Sequence, residues 1–285
     1  MRFVALAFFL IVHGAFGADT PPNDFEADVT KWVVVDCPSK MSEDEAVEDA
    51  YRAFMRCAAN CKAEWTVFAT PAGIQAKMGR VDRRSSISER PAFSANEPKY
   101  NGPNKSPSSI LMVSDGWLIA YNRGEWGGSL WWFSNDGNEN YRISSHQIIQ
   151  FLRYRNRIFA LDGLSHLGES RGTVIEIALA TKRWKVSTFV ELPSCGVAIS
   201  EVPDGRLCVL TSDMLFALAL DKKLELLLPA PDWDSLAPSS LAVDAKAGVI
   251  YIGMCQFVAR YRLNETNHEF QYTIPSREFL NTKDE

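Results

Sequence analysis

The chain has 285 residues, 46% of them hydrophobic, and a formal net charge of −5. That length and apolar content allow one large β domain with a real core, and the acidic balance disfavours nucleic-acid backbones and anionic lipid as partners. No stretch approaches the roughly 18–20 consecutive apolar residues of a membrane-spanning helix. At the N-terminus Arg2 precedes the apolar FVALAFFLIV and then Ala15-Phe16-Gly17, a small-x-small cleavage pattern. This predicts a signal peptide over residues 1–17, cut between Gly17 and Ala18, and a secreted or periplasmic protein.

Residues 18–106 read as an N-terminal extension. KWVVVDC is a short strand ending at Cys37. SEDEAVEDAYRAFMRCAANCK then opens with Ser42 as a cap and early acidic residues, and places Ala46, Ala50, Phe54 and Cys57 on one face. An amphipathic helix over about 42–62 is expected. Cys57 and Cys61 share a helix face, with no histidine nearby and no C-x-x-C spacing, so a structural bridge from Cys37 to one of them is favoured over a metal or redox pair. AEWTVFATPAGIQAKMGR, residues 63–80, predicts strands around Pro71-Ala72-Gly73 that supply part of a further unit. Residues 84–108, with Pro91, Pro98, Pro103 and Pro107, read as a long exposed loop, a candidate lid or partner segment.

From residue 108 the helical period vanishes and a four-strand unit returns four times. The units are SSILMVSDG, WLIAYNRGEWG, GSLWWFSNDG, NYRIS; then QIIQFLRYRN, RIFALDGLSHLG, GTVIEIALATKR, WKVSTFVEL; then CGVAISEVPDG, RLCVLTSD, MLFALALDKK, LELLLPA; then SSLAVDAKAG, VIYIGMCQ, FVARYRLNETN, EFQYTIP. Gly116, Asn156, Gly205 and Gly248 mark the first turn of each, and Gly137, Lys182, Lys222 and Asn267 a later turn in the same phase. Four strands in about 40–50 residues is the period of a propeller blade. In this strand and turn pattern residues 107–275 resemble the β-propeller superfamily in the broad sense, quinoprotein-like and NHL-like, without the tryptophan-docking motif of the former or any Gly-His and Trp-Asp signature. The resemblance implies an all-β propeller of four to five four-stranded blades. It also implies that ligands bind at the face carrying the loops from second to third strand and from fourth to next first. Residues 276–285 are a tail.

RGEWGGSLWWFSNDG, residues 123–137, divides on this frame. GSLWWFS is a third strand whose aromatics pack on both faces, and Asn135-Asp136-Gly137 is a hairpin turn. Arg123, Glu125 and Trp126 fall in the loop on the binding face, where an exposed Trp marks a contact surface. His166, Glu169 and Arg171 occupy the equivalent loop of the second unit, and His146 the connection between the first two units. PAPDWDSLAP, residues 229–238, brings Trp233 to the same face. Cys208 and Cys255 lie in apolar runs and read as buried thiols, with a bridge between them as the alternative. SNDGNENY departs from an aspartate box in the place of Gly137 and in Tyr141, and no G-x-S-x-G elbow occurs. No cofactor is expected. These features predict a monomeric, non-catalytic binding protein whose mouth takes a protein partner, as an inhibitor, an immunity protein or an envelope scaffold. A glycan-binding module, or an enzyme of the lactonase or lyase sort with a channel metal, is the rival.

Overall fold

Short apolar runs separated by residues that tolerate positive φ fold as sheets of antiparallel neighbours. The computed structural model describes residues 26–35, 45–59, 63–79, 90–102, 106–230, 232–263 and 270–276. The N-terminal part contributes β1 (Glu26–Asp28), β2 (Val33–Val35), α1 (Glu45–Ala59), β3 (Trp65–Thr70) and β4 (Gly73–Met78). The first blade is β5 (Ser109–Val113), β6 (Gly116–Asn122), β7 (Gly128–Phe133) and β8 (Asn140–Ser144). The second is β9 (Ile148–Tyr154), β10 (Arg157–His166), β11 (Glu169–Ala180) and β12 (Arg183–Leu192). The third is β13 (Gly196–Glu201), β14 (Leu207–Thr211), β15 (Met214–Leu218) and β16 (Leu224–Pro229). After the single turn of helix α2 (Trp233–Leu236), the fourth is β17 (Ser240–Asp244), β18 (Val249–Gly253), β19 (Val258–Arg262) and β20 (Phe270–Ile274). Each blade is an antiparallel meander in chain order, and together they form a β-propeller.

Local chemistry explains the repeat. The second strands WLIAY, LCVLT and VIYIG are buried on both faces, because each sheet is covered on both sides by a neighbouring sheet or another segment of the chain, so alternation gives way to continuous apolar runs. The first-turn residues Gly116, Asn156, Gly205 and Gly248 all have positive φ, as do Gly137, Lys182 and Lys222 of the later series; Asn267 lies outside the described residues. A lysine in that conformation costs about 1 kcal/mol, which the surrounding strand pairing overrides. In three blades the outer strand carries one extra residue, Ile143, Phe189 or Leu227, opposite its third strand. Such bulges increase the twist and turn the outer edge away from further pairing.

Segments distant in the chain meet in the fourth blade, where β2 pairs with β20 as a fifth strand, Val33 opposite Ile274. Helix α1 covers this region: Phe54 stacks on Phe257 at 5.4 Å and Tyr51 donates to Asp232 at 2.6 Å. A three-stranded sheet in the order β1-β4-β3 sets β3 against β17. There the Val67 N–H donates to Ser240 Oγ at 2.9 Å, and Trp65 Nε1 donates to the Gln256 carbonyl at 3.0 Å. One core cluster joins this sheet, α1 and blades three and four.

Among the described residues, the outer face of the first blade packs on no other sheet. Its cluster of Trp117, Ile119, Tyr121, Trp131 and Phe133, with Ile110 of β5 beside it, is covered by Phe93 and Ala95. Phe93 stacks on Phe133 at 5.5 Å, and the Tyr121 hydroxyl donates to the Ala95 carbonyl at 2.9 Å. The described part of the proline-rich loop is therefore a strap over an aromatic face, not an exposed loop. A bare face of that size would leave several large side chains in water.

Cys208 and Cys255 are both buried, as expected from their apolar runs, and the alternative of a bridge between them is not formed. Both are in the thiol form, as is Cys195. Cys208 sits in the middle of β14, wholly buried between sheets, whereas Cys255 lies in the β18–β19 connection with Sγ 3.9 Å from Glu64 Oε1. Burial pushes the Cys208 thiol well above its ordinary pKa. The Cys37, Cys57 and Cys61 side chains lie outside the described residues, as does the segment 1–17. Among the described residues no helix is long and apolar enough to cross a membrane.

Candidate functional site at one rim of the ring

Two of the loops predicted to share a face, those after β6 and β10, come together. Between β6 and β7 the chain makes one 3-10 turn, Gly124–Trp126. Asn122 Oδ1 accepts the Gly124 N–H at 2.9 Å, and the Arg123 N–H reaches the Gly127 carbonyl at 3.0 Å. Gly124 and Gly127, at φ 60° and 83°, supply the left-handed conformations this loop needs. The turn leaves Trp126 76% exposed.

Beside it, β10 and β11 extend as a hairpin closed by Leu167-Gly168, with φ 46° and 85° and His166 opposite Glu169. Two residues with positive φ form the turn whose twist matches that of the strands. Leu167 at its tip is 92% exposed. Glu125 Oε2 and His166 Nε2 lie 2.6 Å apart, so one pair bridges the two turns and brings Trp126 and Leu167 to the same rim.

Under the rim lies a polar network at the seam of blades one and two. The Asp162 carboxylate, 3% exposed, accepts the Gln147 backbone N–H, and the Gln147 amide donates to the Gly124 carbonyl. Arg171 Nη2 donates to Gln147 Oε1 at 2.7 Å, its Nη1 is 3.7 Å from Asp162, and its Nε is 3.3 Å from Glu169. His146 Nδ1 sits 2.9 Å from Ser144 Oγ, and a Cβ at Gly128 would fall 2.8 Å from the His146 carbonyl. Among the described residues, no group of three or more His, Cys, Asp or Glu is placed to hold a metal ion.

Six of the eight residues singled out in the sequence, Glu125, Trp126, His146, His166, Glu169 and Arg171, thus sit on three neighbouring connections. The other two face elsewhere. Arg123 turns inward, its side chain 11% exposed, to pair with Glu97 and lie 4.5 Å over the Tyr100 ring. Trp233 is buried: its Nε1 donates to Tyr272 Oη at 3.1 Å and its ring meets Phe270 edge-on. Sequence reasoning passed over Leu167, Gln147 and Glu97. Only Leu167-Gly168 carries a local signal, an apolar residue in a two-residue turn.

No family model matches the sequence, and no curated protein does. Solved structures with some likeness include virginiamycin B lyase from Staphylococcus aureus, 12% identical, with a TM-score of 0.43 over 75% of this chain and 71% of that one. A gluconolactonase from Xanthomonas campestris is 12% identical, with a TM-score of 0.39 over 59% of this chain and 62% of its own. The chain spans 58% to 62% of the length of the lactonase-type structures it matches. These likenesses assign no activity to the chain.

Proposed function

We propose that this propeller is an exported, non-catalytic binding protein that captures a protein partner at the rim formed by Glu125, Trp126, His146, His166, Leu167, Glu169 and Arg171. One observation carries the reading. The two most exposed large apolar side chains among the described residues, Trp126 and Leu167, stand on adjacent turns that the 2.6 Å contact between Glu125 and His166 ties together. Solvent-facing apolar groups of this size are unfavourable unless a partner covers them, and a Trp ringed by charged pairs is the usual composition of a binding hot spot. Protein is favoured over glycan because the flanking charges are of both signs and in pairs, Glu125 with His166 and Glu169 with Arg171, with no convergent carboxylates for glycoside chemistry.

The test is capture by immobilised protein. Trp126→Ala is expected to weaken binding of the partner by at least about 2 kcal/mol and to leave thermal unfolding within a degree or two, since the ring makes no core contact. Undiminished capture by that variant would remove the rim from consideration. A stoichiometric metal in the purified protein that disappears in His146→Ala or His166→Ala would instead favour the lactonase or lyase class.

A further inference from the structure

The loop that carries Trp126 has little to fix it from within. Two of its residues are glycines at positive φ, so the segment is permissive, and its bridge to His166 is half exposed and therefore weak. Yet both ends of the loop are held by one buried carboxylate. Glu97, 7% exposed in its side chain, accepts Arg123 Nη1 on Oε2 and the Ser129 hydroxyl on Oε1. Arg123 immediately precedes the 3-10 turn, and Ser129 follows just after it. Ser129 in turn accepts the Trp131 indole N–H at 3.0 Å. Arg123 Nε is buried with no partner among the described residues; the guanidinium pairs with Glu97 and has Tyr100, from the same strap, beneath it at 4.5 Å.

We infer that Glu97 is a positioning residue for the rim. The strap spanning residues 90–102 does more than cover the first blade: its carboxylate sets the spacing of Arg123 and Ser129, and through them the attitude of the turn that presents Trp126. Docking of the strap does not depend on Glu97, because Phe93 on Phe133 and the Tyr121 hydroxyl on the Ala95 carbonyl hold it separately. A carboxylate is suited to the task because its two oxygens serve two donors at once. As far as binding is concerned, the inference rests on the proposed rim; the ordering of the turn does not.

Amide hydrogen exchange on the full chain tests it. Glu97→Gln keeps an acceptor for Ser129 but removes the charge that answers Arg123; because it strands a buried cation, it is paired with the double variant Glu97→Leu/Arg123→Leu, which removes both charges and keeps apolar volume. In the double variant unfolding stays cooperative, the amides of Trp126 and Gly127 exchange about tenfold faster, and those in the interior of β6 and β7 keep their protection. Unchanged exchange at Trp126 and Gly127 would overturn the inference. So would a rise spread evenly through β6 and β7, which would mean that the strap has come away. Capture read in parallel separates the two claims. If the Glu97 variants loosen the turn while Trp126→Ala still captures the partner, the brace stands and the rim reading falls; the opposite pair of results removes the brace alone.

Discussion

Leu167 is a side chain at odds with its place. It occupies a left-handed conformation at φ 46° and is the most exposed large apolar residue described. For a residue with a Cβ that conformation is unfavourable by about 1–2 kcal/mol, and Asn before Gly is the usual solution in such a turn. Leu167→Asn is therefore expected to raise unfolding stability by about 0.5–1 kcal/mol in urea titration while weakening partner capture. A loss of stability would mean that Leu167 relieves rather than creates strain. Trp126 and Trp233 make the complementary point. Both lie in connections between strands, beside acidic residues, and nothing adjacent in the chain distinguishes them. Trp233 is drawn inward by Tyr272 and Phe270 of β20, whereas Trp126 has no partner strand above it.

At the scale of elements, the second blade holds a half-buried ion pair that makes stability depend on pH. Arg157 donates to both oxygens of Glu176, at 2.7 Å each, across β10 and β11, and its guanidinium lies 4.9 Å and 5.0 Å from the Phe159 and Phe189 rings. The hydrogen bonds from Arg157 hold the Glu176 carboxyl below its ordinary value, and those from Arg206 do the same for Asp204 at the β13–β14 turn. A carboxylate whose pKa is depressed on folding stabilises the fold above its unfolded value, roughly pH 4, and that contribution is lost as pH falls through the folded value. Glu176→Gln should accordingly be less stable than the parent at pH 7, with a smaller gap at a pH below about 4. A gap of constant size across urea titrations at the two pH values would show that the pair's charge is not what matters. The elements themselves were legible: both turn series in the sequence carry positive φ wherever they are described, because tight hairpins demand it. The projection of β10 and β11 past the ring was less so, since beyond Gly163 the hairpin faces water on both sides and its polar alternation resembles a loop.

For the whole molecule, the N-terminal three-stranded sheet docks where Gly253 lets a backbone pass. A Cβ there would fall 2.1 Å from the Trp65 carbonyl oxygen and 2.5 Å from Ser240 Oγ. Gly253→Ala should cost about 1–3 kcal/mol, and the loss should appear first as faster amide exchange in β3 and β4 with the other blades still protected. Uniform loss of protection would mean that the sheet and the ring unfold as one unit. The outer face of the first blade shows the same dependence on distant contacts, since residues 90–97 lie on it in place of another sheet.

The sequence by itself determined the repeating unit and its turns, because strand period and turn chemistry are local properties of a few adjacent residues. Only the tertiary structure decided that Trp233 and Arg123 face inward, that Cys208 and Cys255 remain thiols, and that Glu97 reaches both ends of the Trp126 loop. Those outcomes depend on which groups distant in the chain come within contact range, and burial and pairing between such groups have no period for a sequence to display.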